Sequence, residues 1–535
     1  MRLTYAGIAD RTPWDQAGII LPSYDAEATA RRTVEAPVWA HFGVGNIFRV
    51  FLGGIADQLL SRGAMDRGIT CVECYDGEVV DRIYRPYDNL GLSVILHADG
   101  REEKRVLGSM CEAIKAAPEE PAQMERLREV FRAESLQLVS FTITEKGYAL
   151  TNTAGAYFGA VRADLDNGPD AARTAMGIVT AMLWARFRAG GTPLALVSMD
   201  NCSQNGSRLR ASVLQVAQAW RERSFVGEDF LAWVGDEGRV AFPWTMIDKI
   251  TPRPSEAVAE RLEALGLEGM EPIVTGKQTY IAPFVNAEGP QYLVIEDSFP
   301  NGRPPLELAG VYMTDRATVN KSERMKVTAC LNPIHSALGP FGCLLGFTLF
   351  SDQMRDADSL RLAHAVGEEG MDTVPDPGIL SPRAFLEECL NERFPNPYLG
   401  DTVQRLVTDI SQGVGVRFGE TVKAYQAKYG SAERLRAIPL AIAGWLRYLL
   451  AVDDQGDTYE LSPDPMNAEL QAILADVRAD DPATLTGQLK LILSDNGLFG
   501  VNLYEAGIGE QIETLFRQML AGPGSVRRTL HEARF

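Results

Sequence analysis

The sequence predicts two domains, an α/β domain over residues 1–310 and a mostly α-helical domain over residues 311–535. Two observations favour this division. In the first part, short apolar runs that resemble strands alternate with amphipathic helical patterns, an order typical of a mainly parallel sheet with helices on both faces. After about residue 310, strand-like runs become rare and long helical patterns dominate. The proline- and glycine-rich stretch 299–305 is the expected crossing between them.

Each predicted element follows from its hydrophobic pattern. Apolar runs at 37–42, 68–73, 136–144 and 194–198 are predicted strands. Amphipathic helices are predicted between them, among others 121–133 and 171–188. Helical patterns in the second domain cover 384–394, 400–411, 432–451, 465–478 and 508–520.

Composition limits the possible partners of this 535-residue chain. A net charge of −19 argues against nucleic acid and anionic membranes, which need a basic face, but allows a small anionic substrate. The apolar run 437–452 is interrupted by Arg447, which favours a buried helix over a membrane span. Seven cysteines and no apolar leader segment predict a reducing cytoplasm. The sequence does not indicate an oligomeric state.

A glycine turn follows the first predicted strand. In Gly43-Val44-Gly45-Asn46, glycines would let the backbone approach a pyrophosphate at a helix N-terminus. The third glycine of the usual fingerprint is replaced by Phe48, so an ordinary tight turn is the alternative. An acidic residue after the second strand would bind ribose hydroxyls and favour NAD over NADP. Glu73 and Asp76 are both candidates, and the sequence leaves the choice open.

The segment 323–335 carries the residue types needed to move a proton off a hydroxyl. They are a lysine (Lys326), an amide (Asn332) and an imidazole (His335). A free lysine has a pKa of about 10.4, so a catalytic role requires burial or a neighbouring cation; a solvated surface lysine is the alternative. Asn332-Pro333 predicts an N-cap followed by proline at the first helical position, with His335 in the first turn.

Several ordered motifs between about residues 37 and 420 resemble the polyol-specific long-chain dehydrogenases, the family of mannitol 2-dehydrogenases and of fructuronate and tagaturonate reductases. The matching stretches are 41–49, 142–148, 198–201 with 205–206, 242–252, 295–300, 302–305, 323–326, 332–338 and 401–405.

The resemblance implies a Rossmann-type N-terminal domain, a helical C-terminal domain, and metal-independent catalysis with NAD in the cleft between them. It implies that Lys326 is the general acid/base. Asn201 and Asn332 would hold the reacting oxygen as negative charge develops. His335 would bind a neighbouring substrate hydroxyl.

Four further positions match the family pattern in the same way. Glu145 and Glu323 match acidic positions linked to proton passage between the lysine and solvent. Asp248 matches a position near the nicotinamide and the substrate, and Arg405 matches a substrate-contacting arginine.

Three departures from the family pattern matter. Phe48 stands where histidine is common. Lys326 lies six residues before Asn332 rather than five, and an extra residue would rotate a continuous helix by about 100°. A π-bulge or a break must absorb that residue if the two side chains are to keep their relation. Gly413 replaces a family lysine, and Arg417 is the candidate for the missing cation.

The first functional hypothesis is reduction of D-fructuronate to D-mannonate with NADH. The chain length and the segments around 326–335 and 411–420 look closer to uronate-pathway members than to mannitol enzymes. A hexuronate carboxylate needs a cation, which Arg405 or Arg417 would supply. The alternatives are mannitol 2-dehydrogenase, which needs no carboxylate partner, tagaturonate reductase, and a non-catalytic NAD-binding sensor that kept the fold.

Overall fold

The computed structural model describes residues 1–152 and 154–535. The chain divides into two compact units, Met1–Asn320 and Lys321–Phe535. The division falls within the helix Arg316–Met325.

A six-stranded sheet forms the centre of the first unit, and all of its pairings are parallel. The four predicted strands are present: Leu194–Ser198 has the predicted ends, and the other three are shorter than predicted. Each is buried along its length, as expected of strands covered on both faces. The predicted α/β class is therefore confirmed. The strand order is Met110–Lys115, Ile69–Glu73, Trp39–Phe42, Leu138–Phe141, Leu194–Ser198, Val240–Ala241.

This order places a topological switch point beside Trp39–Phe42. The strand pairs with Ile69–Glu73 on one side and with Leu138–Phe141 on the other. The chain therefore leaves Trp39–Phe42 toward one edge of the sheet and later returns to its other flank. Ligands of open parallel sheets bind at such a point, outside the carboxyl ends of the strands. The glycine turn that begins at Gly43 lies there.

Three smaller sheets were not predicted, because their strands are short or mix polar with apolar residues. The first consists of Ile19–Ile20, Glu102–Leu107, Gly91–Leu96 and Phe284–Ala287. The second consists of Thr245–Asp248, Tyr292–Glu296 and Tyr312–Thr314. The third is the hairpin of Ile273–Val274 and Tyr280–Ile281.

Helices surround the sheets of the first unit. The two that the sequence predicts begin and end close to the expected residues, at Pro121–Arg132 and Ala175–Arg188. The other α-helices are Tyr5–Ile8, Thr12–Gln16, Ala26–Glu35, Gly53–Ser61, Gly77–Val79, Thr144–Tyr148, Gly159–Asn167, Asn205–Glu222, Glu228–Gly235 and Glu256–Ala264.

The second unit is helical, as predicted. Its α-helices are Asn332–Leu344, Phe350–Gln353, Ala357–Met371, Pro382–Glu388, Val403–Leu406, Glu420–Tyr429, Ala437–Tyr448, Asn467–Ile473, Leu489–Leu493, Asn496–Phe499, Gly509–Gln518 and Ser525–Glu532. Short 3₁₀ turns occur in both units. Those of the first unit are Arg85–Tyr87, Pro169–Ala171 and Leu306–Ala309, and those of the second are Pro397–Leu399, Ile410–Gln412 and Pro482–Thr484.

Two predictions for the second unit have different outcomes. The single helix expected over 400–411 is wrong: Asp409 has a φ of 53°, a left-handed conformation that separates Val403–Leu406 from the 3₁₀ turn Ile410–Gln412. The buried helix is confirmed, since every residue of Ala437–Tyr448 is buried. Throughout the described residues, no helix has the length and apolar character needed to cross a membrane.

Five π-helical segments occur among residues 1–152 and 154–535. They are Phe48–Leu52, Val80–Tyr84, Lys326–Cys330, Cys389–Arg393 and Gly415–Gly419. A π-turn holds one more residue than an α-turn, and such turns are frequent at functional sites. Three of these segments contain or adjoin residues that the sequence singles out, namely the glycine turn, Lys326 and Arg417.

Candidate active site

The glycine turn has the geometry of a dinucleotide loop. Gly43 has a φ of 93°, and a Cβ there would lie 2.1 Å from the Thr142 carbonyl oxygen, so only glycine fits. A Cβ on Gly45 would meet no atom within 4 Å, which leaves the backbone open to a ligand. The Asn46 Oδ1 atom is buried without a hydrogen-bond partner among the described residues. An open backbone beside an unsatisfied polar atom fits a bound pyrophosphate.

A chain of hydrogen bonds below this turn fixes the tautomer of His41. The Trp39 Nε1–H group donates to Ser140 Oγ (2.7 Å), so the Ser140 hydroxyl proton is directed to His41 Nδ1 (2.6 Å). His41 Nδ1 therefore accepts, and Nε2 carries the proton. Nε2 lies 2.9 Å from Thr142 Oγ1 and 3.1 Å from the Gly43 carbonyl oxygen. Burial lowers the pKa of His41 to about 3, opposed only in part by its bond to Gly43.

The chain of hydrogen bonds ends on the carbonyl group of Gly43. The Gly43 oxygen also accepts from Thr142 Oγ1 (2.9 Å), so this peptide carbonyl points toward the sheet. In a trans peptide the following N–H points the opposite way. That N–H, on Val44, lies 3.4 Å from Glu73 Oε2. The ring of Phe48 stacks on His41 with centroids 4.0 Å apart, which accounts for the apolar residue at this position.

The surroundings of Glu73 and Asp76 distinguish the two ribose candidates. Asp76 is 3 % exposed, and its Oδ2 accepts from the hydroxyls of Thr275 and Thr279 at 2.6 Å each. Glu73 ends its strand and lines a cavity of about 390 Å³ at the carboxyl edge of the sheet. Burial raises the pKa of Glu73, whereas N–H bonds from Asp76, Tyr75 and Val44 oppose that rise. The cavity favours Glu73.

A polar network supports the turn after Leu194–Ser198, where Asn201 lies. The Asp200 carboxylate accepts from the backbone N–H groups of residues 143 and 144, at 2.9 Å each, and from the Tyr148 hydroxyl (2.6 Å). Asn205 Nδ2 donates to the Asp200 carbonyl (3.0 Å) and to the Thr245 carbonyl (3.1 Å). Asn205 thus joins the turn with Asn201 to the strand that ends at Asp248. Both residues lie in stretches that resemble the family, but no sequence signal indicated this supporting role.

The remaining candidates of the first unit differ in exposure. Asp248 is 8 % exposed at the end of the strand Thr245–Asp248. Asn201 is exposed. Glu145 is exposed in the first turn of Thr144–Tyr148, where its carboxylate forms an ion pair with Arg208.

The irregularity predicted between Lys326 and Asn332 is present. The segment Lys326–Cys330 is π-helical, and the Leu331 N–H donates to the Lys326 carbonyl (3.1 Å), five residues back. Leu331 itself leaves helical geometry, with φ −123° and ψ −64°. The π-turn absorbs the extra residue. Lys326 is 1 % exposed, so the solvated surface lysine is excluded.

A hydroxyl group from the helix Glu420–Tyr429 supports the π-turn. Thr421, which is 4 % exposed, donates from Oγ1 to the Thr328 carbonyl (3.2 Å). A π-turn disturbs the usual i→i−4 pairing of helical carbonyls, and such groups need other partners when buried. Thr421 is therefore a positioning contact for the segment that begins with Lys326. No sequence signal pointed to it.

Asn332 is not the N-cap that the sequence predicts. The helix Asn332–Leu344 begins at Asn332, Leu331 occupies the cap position, and Pro333 is the second helical residue. The π-turn brings the chain into the helix without the extended residue that an N-cap requires. His335 lies in the first turn, as expected, and its N–H donates to the Leu331 carbonyl (3.3 Å).

His335 rests on an aromatic pair. Its ring centroid lies 5.2 Å from that of Phe350, edge to face, and 4.8 Å from that of Phe394. The two phenylalanines are 5.3 Å apart. Packing of this kind limits the rotation of the imidazole. Glu323 is half-buried in the helix Arg316–Met325, three residues before Lys326.

Arg417 occupies the space above Gly413. A Cβ on Gly413 would lie 2.6 Å from Arg417 Nε and 2.8 Å from its Cζ. The guanidinium thus stands where a side chain at 413 would begin. The Arg417 Nη1 atom donates a hydrogen bond to Oγ of Ser336 (2.6 Å), and Ser336 is the residue after His335. Burial alone lowers the pKa of Arg417.

Arg405 has a different environment. Its side chain is 65 % exposed and forms an ion pair with Asp401, which lies four residues earlier in the sequence. Burial raises the pKa of Asp401, and the Arg405 charge opposes that rise. Of the two arginines, Arg417 is the one whose charge is partly removed from water.

Among the described residues, no group of three or more His, Cys, Asp and Glu side chains could hold a metal ion.

A parallel sheet with a glycine loop at its switch point, followed by a helical unit with a buried lysine and a first-turn histidine, defines a dinucleotide-dependent dehydrogenase. The chain belongs to the mannitol dehydrogenase family. The profile of the mannitol dehydrogenase Rossmann domain matches residues 39–308, and that of the mannitol dehydrogenase C-terminal domain matches residues 318–520.

Individual relatives extend over nearly the whole chain. A D-mannonate oxidoreductase of Thermotoga maritima is 51 % identical over 535 residues, 99 % of each chain. A polyol:NADP oxidoreductase of Gluconobacter oxydans is 31 % identical over 478 residues, which cover 87 % of this chain and 89 % of that one. The structure of Pseudomonas fluorescens mannitol 2-dehydrogenase with NAD and D-mannitol superposes with a TM-score of 0.71 at 25 % identity, covering 99 % of each chain.

Proposed function

We propose that this protein reduces D-fructuronate to D-mannonate with NADH and catalyses the reverse oxidation. The similarity to a D-mannonate oxidoreductase along the whole chain supports this substrate pair. The observation that carries the proposal is the environment of Arg417. In the part of the chain that the structure describes, its hydrogen bond is to Ser336, and no carboxylate pairs with it.

A half-buried guanidinium without a counter-charge is costly, because part of its hydration is lost. A substrate carboxylate would offset that cost through charge-assisted hydrogen bonds, and the fork of an arginine suits bidentate pairing. A uronate brings such a carboxylate, whereas mannitol and fructose do not. Ser336, which accepts a hydrogen bond from the guanidinium, directly follows His335 in the sequence. His335 is the residue proposed to bind a substrate hydroxyl.

The reduction adds a hydride to the keto carbon and a proton to its oxygen. The reduced nicotinamide, when bound, supplies the hydride. Lys326 gives the proton from its ammonium group and, in the oxidation, accepts it as the amine. Asn332 donates an amide N–H to the oxygen as negative charge develops. Asn201, Asp248, Glu145, Glu323 and Arg405 keep the roles that the family resemblance implies.

The cofactor proposed for the chain is NAD, with its pyrophosphate on the loop 43–46 and its adenosine ribose on Glu73. A carboxylate at the end of the second strand accepts from ribose hydroxyls and repels a 2′-phosphate.

We also propose that the enzyme lies in the cytoplasm, in keeping with seven cysteines that are all free.

A comparison of substrates tests the activity. NADH oxidation is measured with fructuronate, tagaturonate and fructose at equal concentrations, and fructuronate should react fastest. Faster turnover of fructose than of either uronate would favour a mannitol 2-dehydrogenase. Tight NADH binding without turnover of any of them would favour a non-catalytic sensor.

A charge-removing variant tests the carboxylate contact. Arg417→Met keeps much of the stem but removes the guanidinium, so kcat/KM for fructuronate should fall about 10- to 150-fold, the loss of a charged hydrogen bond. The kcat/KM for fructose, which has no carboxylate, should change little. Arg434→Met, at an exposed arginine of the same unit, is the matched control. Equal losses with both substrates would show that Arg417 is structural.

A further inference from the structure

The loop between the strands Ile273–Val274 and Tyr280–Ile281 is fastened to the turn that follows Glu73. Thr275 and Thr279 donate their hydroxyls to Asp76 Oδ2, at 2.6 Å each. The Gly276 N–H donates to Glu78 Oε1 (3.1 Å). Lys277 Nζ donates to the Tyr75 carbonyl. Four hydrogen bonds thus join loop 275–279 to turn 75–78, about two hundred residues away in sequence.

The same loop reaches the cavity beside Glu73. Lys277 and Tyr75 both line that cavity of about 390 Å³. The Lys277 ammonium lies 4.8 Å from the centre of the Tyr75 ring, a cation–π contact. Tyr75 is nevertheless 66 % exposed, so much of its surface remains accessible to a ligand. A large exposed aromatic ring at the edge of a polar cavity is suited to stacking with a planar heterocycle.

The charges around the cavity restrict its ligand. Acidic side chains outnumber basic ones among the residues that line it: Glu73, Glu78, Asp81, Glu119 and Glu120 against Lys115, Arg173 and Lys277. Lys115 is already paired with Asp81 and Glu120, and Arg173 is paired with Glu119. An uncharged nucleoside therefore fits better than one that carries a 2′-phosphate.

We propose that loop 275–279 forms a wall of the adenosine subsite, with Tyr75 and Lys277 in contact with the adenosine and Asp76 as their positioning residue. This inference rests on the proposed placement of NAD beside Glu73. Asp76 acts through its neighbours: its buried carboxylate accepts both threonine hydroxyls and the Glu78 N–H (3.3 Å), which holds loop and turn together.

Binding of ADP-ribose to the full chain isolates this subsite, because the probe lacks nicotinamide. Lys277→Ala should raise its dissociation constant about 3- to 10-fold, the effect of one partly exposed polar contact. Lys104→Ala is the control, since Lys104 lies on the strand Glu102–Leu107 and does not line the cavity. Calorimetry gives the affinities, and thermal melting confirms that each variant is folded.

A second pair of variants separates positioning from folding. Thr275→Val with Thr279→Val removes both donors to Asp76 and should weaken ADP-ribose binding, whereas serine at both positions keeps the hydroxyls and should retain it. Unchanged affinity in Lys277→Ala and in the double valine variant, with weaker binding in Glu73→Ser, would overturn the role of the loop. Unchanged affinity in Glu73→Ser as well would overturn the placement of the cofactor itself. Fructuronate turnover by the unmodified enzyme tests the substrate separately.

Discussion

The hydrogen-bond chain that ends on the glycine loop makes stability depend on pH through His41. Ser140 directs its proton to Nδ1, so the imidazole is neutral with its proton on Nε2. A second proton would turn Nδ1 into a donor facing a hydroxyl whose oxygen already accepts from Trp39. Burial holds the pKa of His41 at about 3.

The magnitude follows from the difference between the folded and unfolded chains. An unfolded histidine has its ordinary pKa of 6.5. Below that pH the unfolded chain binds a proton that the folded chain excludes until pH approaches 3. The contribution is therefore fully present above pH 6.5 and is lost as pH falls. Each pH unit in this window costs about 1.4 kcal/mol, so about 2 kcal/mol is lost between pH 8 and pH 5.

Urea unfolding at pH 8, 6.5 and 5, followed by tryptophan fluorescence, measures this loss. The glutamine of His41→Gln cannot titrate. The contributions of the other histidines to the pH dependence of the free energy of unfolding cancel when the variant is compared with the unmodified protein. The unmodified protein should lose about 2 kcal/mol more than the variant on going to pH 5. His364→Gln, at an exposed position, is the control for removal of a histidine. Parallel pH dependences for the unmodified protein and His41→Gln would refute the assignment.

Three further results are expected. Lys326→Ala should lower kcat by roughly 10²–10⁴, the range for loss of a general acid/base, and an unchanged rate would assign proton transfer to another group. Glu73→Ser should improve the use of NADPH relative to NADH in steady-state assays, because a repelling carboxylate is removed; an unchanged preference would point to Asp76. Thr421→Val removes the donor to the Thr328 carbonyl and should lower kcat about 2- to 10-fold without a matching rise in KM, with recovery in Thr421→Ser; equal rates would exclude a positioning role.

Four strands of the main sheet were predictable because they are continuous apolar runs followed by turn residues, whereas Met110–Lys115 and Val240–Ala241 were not predicted. Trp39–Phe42 and Leu194–Ser198 are buried at every position, and such runs are read directly from the sequence. The four-stranded sheet was missed because a strand such as Glu102–Leu107 carries four charged residues before its first buried one. The left-handed Asp409, which divides the predicted helix over 400–411, has no strong local signature.

The candidate site was predictable to the extent that it depends on residue type. Lys326, Asn332 and His335 were selected by their chemistry and their closeness in sequence. The resemblance to the family added that Lys326 lies one residue further from Asn332 than usual, which required the irregular turn that the structure contains. Tertiary relations could not be read in this way. The bond from Arg417 to Ser336 and the bonds from Thr275 and Thr279 to Asp76 join segments that are far apart in the sequence.

The π-turn at Lys326–Cys330 has a consequence for the comparison of related chains. Because one extra residue is accommodated within a single helical turn, an insertion there leaves the flanking helices Arg316–Met325 and Asn332–Leu344 intact. A search pattern with a fixed interval between the lysine and the asparagine would overlook chains of this kind. Patterns that allow a gap of one residue at this place would include them, and the length of that gap would sort relatives into those with and without the wider turn.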